Sequence, residues 1–255
     1  MGTKEAIKKG FMLAGKNWVL VGVLFLLNIF SNLIGLPLKS IKEGVSPSLS
    51  ESSLAIGVII IFLFLSIFVQ AGLLGSVRDI IKKGSTRLNN LFSSGKKFFW
   101  RLLGLGMLIG LIIGLLVIFC QGTLALADRV IGNTILKSLG FFIYMILGII
   151  TACVSILFFY SPYVLVAEEC GIIESVRKSV GFARKFLGSA MGTLALMMLM
   201  IIGATVVVGI LLVPVAVSQR QMIGGILASG VNAYFGLVAM ITFMSLYLGL
   251  TEEKK

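Results

Sequence analysis

The sequence predicts an all-α membrane protein, a bundle of six transmembrane helices with three basic amphipathic helices at the membrane surface. The first observation is composition: 58% of the 255 residues are hydrophobic and only 13% are charged, about half the charged fraction of an ordinary soluble domain. The second is that the apolar residues form long, non-alternating runs, which become helices in lipid because a helix satisfies its own backbone hydrogen bonds. The third is that positive charge is concentrated between these runs.

Six apolar runs reach the length of about 20 residues that a spanning helix needs. They are residues 18–38, 54–77, 101–120, 139–166, 187–217 and 223–250. No charged residue lies in the middle of any run, and the first is too long for a signal-peptide core, so we expect it to be retained. Because spanning helices pack as one cooperative unit, we expect a single transmembrane domain over residues 1–255.

Lysine and arginine predict the orientation. Most of the 22 such residues lie in residues 1–17, 78–101 and 167–186 and at the C-terminus. Only five lie in the alternate connections: Lys39, Lys42, Arg129, Lys137 and Arg220. Because cytoplasmic loops retain positive charge, we expect a multi-pass protein of the cell (inner or cytoplasmic) membrane with both termini cytoplasmic.

The three basic stretches have apolar residues at helical spacing, which is typical of helices that lie in the membrane interface. The first stretch has Ile7, Phe11, Ala14 and Trp18 on one stripe, and the third has Ile173, Val176, Val180, Ala183 and Leu187. In the second, Ser93-Ser94-Gly95 is expected to interrupt the helix.

The basic faces of these helices predict contact with anionic lipid headgroups. The candidate contact residues are Lys8, Lys9, Lys16, Lys96, Lys97, Arg177, Lys178, Arg184 and Lys185. The net charge of +12 does not indicate nucleic acid as a partner, since no base-reading or base-stacking motif accompanies it.

Trp18, Trp100 and Phe186 lie about 84 residues apart and introduce the same order of features in each third of the chain. That order is basic helix, interfacial aromatic, span, outer loop, span. It predicts three repeats, residues 1–82, 83–168 and 169–255. Since each contains two spans, all three have the same orientation, related by an axis along the membrane normal.

The outer connections are expected to differ from one another. Residues 39–53 are polar and predict an ordinary loop, residues 121–138 a short interfacial helix, and residues 218–221 a tight turn. Pro162 and Pro214 lie near span ends, where we expect them to terminate helices.

Gly106, Gly110 and Gly114 in the third span form a small-residue stripe, which lets helices approach closely. We favour packing within the bundle over a homo-oligomer interface. Four amides also fall within or near spans: Asn28, Asn32, Gln70 and Asn232. Interhelical hydrogen bonds are the favoured role, and a polar path for a solute is the alternative.

Catalysis and metal binding receive little support. The chain has no histidine, which removes imidazole acid/base chemistry and imidazole metal ligands. Cys120, Cys153 and Cys170 show no C-x-x-C spacing and are interpreted as packing residues. Glu168 and Glu169 are interpreted as the start of the third amphipathic helix, where negative charge meets its dipole. We therefore expect no enzyme, no cofactor and no metal.

The segment SPYVLVAEECGIIESVRKSV, which ends in ARKFLG, resembles a segment of small prokaryotic multi-span membrane proteins of unassigned function. These include the membrane domain fused to glycerophosphodiester phosphodiesterases. In that family an acidic-Gly-aliphatic turn leads to a Ser-rich and Val/Leu-rich amphipathic helix, then an aromatic residue and a new span. The resemblance implies membrane architecture and lipid association. It does not imply phosphodiesterase activity, because the histidines of that chemistry are absent.

The leading hypothesis is a non-enzymatic scaffold or accessory subunit that associates with anionic lipid, a membrane-protein partner or a second copy of itself. The alternative is a transporter or channel for a lipid or a weakly polar solute. A membrane-embedded enzyme ranks third, since it requires Glu168, Glu169 or Asp79 to converge on a cavity.

Overall fold

The computed structural model describes residues 2–42, 49–84, 86, 88–130, 134–213 and 217–252. These residues are helical almost throughout and contain no β-strand, which confirms the all-α prediction. The helices are, in chain order, α1 (Thr3–Lys16), α2 (Trp18–Lys42), α3 (Leu49–Lys83), α4 (Leu88–Val130), α5 (Thr134–Phe159), α6 (Ser161–Glu168), α7 (Ile172–Lys185), α8 (Leu187–Leu211) and α9 (Val217–Glu252).

Among the residues that the structure describes, five helical stretches are long and apolar enough to cross a membrane. They are Ile56–Lys83, Leu88–Thr123, Gly140–Glu168, Leu187–Leu211 and Ile223–Thr251. A sixth crossing is available if α1 and residues Trp18–Asn32 of α2, which meet at 87°, count as one broken span. The described residues therefore form a multi-pass membrane protein with five or six crossings.

Asn17 ends α1 and sets the bend before α2. Its side-chain Nδ2 donates to the carbonyl of Leu13 at 2.8 Å, and its main-chain N–H donates to Ala14 O at 3.1 Å. Asn17 thus satisfies two carbonyl groups in the last turn of α1, and Trp18 starts a new helix in another direction.

The predicted interruption at Ser93-Ser94-Gly95 is wrong, because α4 runs through these residues unbroken. Serine and glycine are weak helix formers, but tertiary contacts override propensity. Gly72 and Gly75 of α3 provide the room: an added Cβ at Gly72 would lie 2.9 Å from Leu91 Cγ, and one at Gly75 would collide with Ser94. Two helices in such close contact stabilise each other.

The predicted outer connections are also wrong in their extent. Helix α2 continues to Lys42 and α3 begins at Leu49, so much of the expected loop 39–53 is helical. Residues 121–130 extend α4, and α5 starts at Thr134, so no separate interfacial helix forms there. Residues 218–221 lie inside α9. Long apolar helices project beyond the hydrophobic runs that predict them.

A helix ends just before Pro162, as predicted, but the span does not end there. Helix α5 ends at Phe159, α6 begins at Ser161 with the proline in its first turn, and the spanning stretch continues to Glu168. A proline lacks the N–H that a continuous helix needs but is tolerated at a helix start. Pro214 lies outside the described residues.

The helices form two compact units. The first contains the described residues of 1–99 and 188–255, with α1, α2 and α3 in contact with α9. Its core is built mainly on α9, with Leu237, Val238, Ile241, Met244 and Tyr247 buried. The second unit covers residues 100–187, where α7 packs against α5 and α6.

Candidate functional site

Helix α1 packs on α9 through small side chains. Its buried residues are Ala6, Gly10, Leu13 and Ala14. An added Cβ at Gly10 would lie 2.9 Å from the Val238 carbonyl oxygen and would collide with Thr242 Oγ1. The two backbones therefore approach as closely as they do only because residue 10 has no side chain.

This contact differs from the predicted stripe of α1. Of the four predicted residues only Ala14 is fully buried, Ile7 and Phe11 are partly buried, and Trp18 is exposed. The predicted stripe consists mainly of large apolar side chains, whereas the helix packs on protein, where small side chains allow the closer fit. The signal that could have found it is Ala6-x-x-x-Gly10-x-x-x-Ala14.

Aromatic and hydroxyl contacts join α1 and the first residue of α2 to α8 and α9. The Trp18 ring stacks on Tyr234 with centroids 5.7 Å apart, and Phe11 meets Phe235 edge-on at 6.0 Å. At the other end, Thr193 Oγ1 of α8 donates to Thr3 Oγ1 at 3.2 Å. Helix α1 is therefore held by side-chain contacts to α8 and α9.

Helix α7 repeats the arrangement in the second unit. Its buried residues are Ser175, Ser179, Phe182 and Ala183, at the same four positions along a helix of the same 14-residue length as α1. Ser179 Oγ donates to the Leu157 carbonyl at 2.7 Å, and the Phe182 ring lies 4.8 Å from that of Tyr160. Here a serine takes the place of Gly10.

The start of α4 follows the same spacing. Leu91, Gly95 and Phe98 are buried, and an added Cβ at Gly95 would lie 2.9 Å from the Phe68 ring of α3. Each basic segment thus buries one face against a spanning helix, with a small residue at the point of closest approach.

Most of the predicted headgroup-contact cations lie on the opposite, exposed faces. The exposed residues are Lys8, Lys16, Lys96, Lys97, Arg177, Arg184 and Lys185, while Lys9 is partly buried. Exposed cations beside apolar spans are placed where they can meet headgroup phosphates.

Lys178 is different, because it is held by two carboxylates. Its Nζ donates to Glu168 Oε2 at 2.5 Å and lies 2.7 Å from Glu174 Oε1. Hydrogen bonding to Glu168 and then to Glu174 raises the pKa of Lys178, since both bonds favour the charged amine. This cation links α6 to α7, and a lipid headgroup would have to compete with two carboxylates for it.

Glu168 and Glu169 do not start α7 as predicted. Glu168 is the last residue of α6, and Glu169 has a φ of 56°, in the left-handed region that ends helices. Gly171 is the N-cap of α7, and Glu174 lies in its first turn, where its charge meets the helix dipole. Arg101 Nη1 donates to the Glu169 carbonyl at 2.9 Å and so fixes this turn against α4.

The glycine stripe of α4 faces open space. A Cβ added at Gly106, Gly110 or Gly114 would meet no atom within 4 Å in the part of the chain that the structure describes. Packing within the bundle and a homo-oligomer interface both stay predictions for these three glycines.

Two of the four candidate amides join helices. Asn28 Nδ2 donates to Ser229 O at 3.3 Å, and Asn32 Nδ2 donates to Ser229 Oγ at 2.9 Å, so α2 is tied to α9. Gln70 and Asn232 are exposed. The structure thus brings two of the four together on one serine, although Asn32 is itself exposed like Gln70 and Asn232.

Cys170 lies beside the ion pair of Lys178. Burial is the main reason that the pKa of its thiol is raised, followed by the charge of Glu174. Among the described residues, no three Cys, Asp or Glu side chains come together in a way that could hold a metal ion.

No protein-family model, curated protein or solved structure matches this chain. The basic helices and their contacts are therefore the basis for a functional proposal.

Proposed function

We propose that this chain is a non-enzymatic integral membrane protein, a scaffold or accessory subunit that associates with anionic lipid or with a membrane-protein partner. The observation that carries the proposal is the division of α1 and α7 into two faces. One face is buried on a spanning helix, and the other presents exposed cations such as Lys8, Lys16, Arg177 and Arg184. A fixed helix holds its charges at one depth relative to the span on which it packs.

The energetics favour lipid as the first contact. A cation next to an anionic membrane surface contributes about 1 kcal/mol, and the attraction falls off within a Debye length. The seven exposed cations among the predicted contact residues add up to an attraction that a single headgroup contact does not give. The proposal assigns the chain no catalytic residue, cofactor or metal.

Three repeats with six crossings belong to the same proposal. Its support is that the three basic segments bury equivalent positions, with Gly10, Gly95 and Ser179 at the closest approach. Further support comes from three fully buried serines, Ser76, Ser161 and Ser245, about 84 residues apart near the ends of spans. Each repeat would then place a basic helix on the same membrane face, which we propose to be the cytoplasmic face of the cell membrane.

The resemblance of residues 161–190 to prokaryotic multi-span membrane proteins agrees with this proposal. The turn at Glu169 and Gly171 and the helix that follows have the order of features on which the resemblance rests. We propose membership of that kind of protein at the level of architecture and lipid association.

The alternative proposal is a transporter or channel for a lipid or a weakly polar solute. It is supported by Gln70 and Asn232, amides that are exposed on otherwise apolar spans. Against it, Asn28 and Asn32 are engaged with Ser229 as interhelical contacts. The scaffold is therefore the first proposal.

Reversal of the exposed charges of α7 tests the proposal. In the variant Arg177→Glu/Arg184→Glu/Lys185→Glu, we expect the enrichment of phosphatidylglycerol over phosphatidylcholine at α7 to fall roughly fivefold, because each headgroup site there loses about 1 kcal/mol of attraction to its cation. Native mass spectrometry of the protein released from mixed-lipid nanodiscs counts the retained lipids.

The matched control keeps the charges, as in Arg177→Lys/Arg184→Lys, and should retain the enrichment. Unchanged enrichment of phosphatidylglycerol in the charge-reversed variant would contradict the proposal. Lys178 is left as it is in both variants, because its loss would break the link to Glu168.

A further inference from the structure

A surface groove lies between α4 and the start of α7 in the second unit. Its volume is about 480 Å³, and it is lined by Gly104, Leu108, Gly171, Ile172, Ile173 and Glu174. Gly104 lets Ile172 lie close against α4 at the floor of the groove, since an added Cβ would lie 2.8 Å from Ile172 Cδ1. The groove begins within the spanning stretch Leu88–Thr123.

The groove has an apolar body on the surface of a spanning helix. Leu108, Ile172 and Ile173 supply aliphatic side chains, and Ile173 is 81% exposed. An isoleucine this exposed loses the free energy that burial of a large apolar side chain supplies. Next to a spanning helix, the material available to cover it is the hydrocarbon of the membrane.

One end of the groove is polar. Arg101 lies one turn before Gly104, and its hydrogen bond to the Glu169 carbonyl joins α4 to the turn just before Gly171. The first main-chain hydrogen bond of α7 is Ser175 N–H to Gly171 O, so the N–H groups before it have no helical partner. The guanidinium and these N–H groups are donors suited to a phosphate.

Lys178 neutralises part of the negative charge near the groove. Glu174 lines the groove, and its Oε1 lies 2.7 Å from Lys178 Nζ, which also binds Glu168, so these three groups leave one net negative charge that the Arg101 guanidinium offsets. The groove therefore combines an aliphatic body with an arginine at its end, the pattern of an acyl chain joined to a phosphate.

We propose that this groove holds one acyl chain of a glycerophospholipid whose phosphate lies against Arg101. The inference rests on the proposed lipid association and deepens it, since it names one site and one orientation. A free phosphate ion leaves the aliphatic body of the groove unfilled, and a lipid without phosphate makes no charge-assisted hydrogen bond to Arg101.

Fluorescence quenching tests the site. In a Trp18→Phe/Trp100→Phe background, Ile173→Trp places the single tryptophan at the groove. Because Ile173 is highly exposed, this substitution should not prevent folding. Titration of the full chain in non-ionic detergent with brominated-chain phosphatidylglycerol should quench this tryptophan to saturation at about one lipid per chain. The matched control is Met107→Trp, next to the groove residue Leu108 but 69% exposed outside the groove, where quenching should rise in proportion to bromolipid content.

Two further substitutions separate chain from phosphate. Gly104→Leu fills the groove and should abolish saturation at Ile173→Trp. Arg101→Gln keeps a donor for the Glu169 carbonyl but removes the charge, so the apparent affinity should fall roughly tenfold. Brominated-chain diacylglycerol, which lacks phosphate, should bind as weakly to the original protein as phosphatidylglycerol binds to Arg101→Gln.

The same quenching curve at Ile173→Trp and Met107→Trp, or saturation that survives Gly104→Leu, would overturn the site. Equal affinity of diacylglycerol and phosphatidylglycerol would overturn the phosphate contact. Saturable quenching at the groove together with unchanged lipid enrichment in the charge-reversed α7 variant would support the groove site and contradict the proposed function. Lost enrichment in that variant without saturable quenching would support the proposed function and contradict the groove site.

Discussion

Small residues determine how the basic helices pack. Gly10 and Gly95 lie at the closest approach of α1 and α4 to spanning helices, and Ser179 takes that place in α7. The charged faces of these helices could be predicted from the sequence, because lysine and arginine repeat at helical spacing. The buried faces can be predicted only in part, because glycine and alanine, which bring backbones together, contribute little to an apolar pattern.

Gly10→Leu should destabilise the protein by about 1 to 3 kcal/mol, the range for an overpacked contact. The physical reason is the Val238 carbonyl, which lies 2.9 Å from the position of the new Cβ and belongs to backbone that cannot turn away. The midpoint of thermal unfolding in detergent should fall by several degrees.

Gly15→Leu is the matched control for that substitution. It lies in the same helix, and an added Cβ there meets nothing within 4 Å. Leucine is also a better helix former than glycine, so this variant should be as stable as the original or more stable. Equal loss of stability in both variants would contradict the packing of α1 on α9.

At the scale of helices, the sequence predicts where spans lie better than where helices end. Five of the six apolar runs correspond to stretches that can cross a membrane. Hydropathy carries no information on how far a helix continues beyond an apolar run, and α3 and α4 both extend past the runs that predict them. Pro162 and Ser93-Ser94-Gly95 show the same limit, because a proline at a helix start or a glycine at a close contact is accommodated by its neighbours.

The hydrogen bonds between α2 and α9 give a test at this scale. Asn32→Leu removes the donor to Ser229 Oγ, and hydrogen bonds between membrane helices contribute about 0.6 kcal/mol on average and about 1.7 at most. We expect a loss of stability in that range, measured by reversible unfolding in mixed micelles.

Asn232→Leu is the control, since Asn232 is exposed on α9. It should leave the free energy of unfolding unchanged or raise it. A greater loss from Asn232→Leu than from Asn32→Leu would show that the amides serve another purpose, such as the polar path of the alternative proposal.

For the whole molecule, the membrane class follows from composition, whereas the candidate lipid groove does not. Ile173 is far in sequence from Arg101 and Gly104. The turn at Glu169, whose carbonyl accepts a hydrogen bond from Arg101, brings the start of α7 beside α4. The sequence contains no signal for a left-handed glutamate, because that conformation is usual for glycine and asparagine. The site therefore depends on a turn that local propensity does not predict.

The central claim is that the three basic segments meet the same membrane surface, where they hold anionic lipid. Single cysteines at Lys8, Lys97 and Arg184 in a background without Cys120, Cys153 and Cys170 test it most directly. A membrane-impermeant maleimide is added to sealed vesicles, and labelling after permeabilisation serves as the control. We predict that all three positions react from the same side and are protected from the other. Labelling of any one of them from the opposite side would contradict the account.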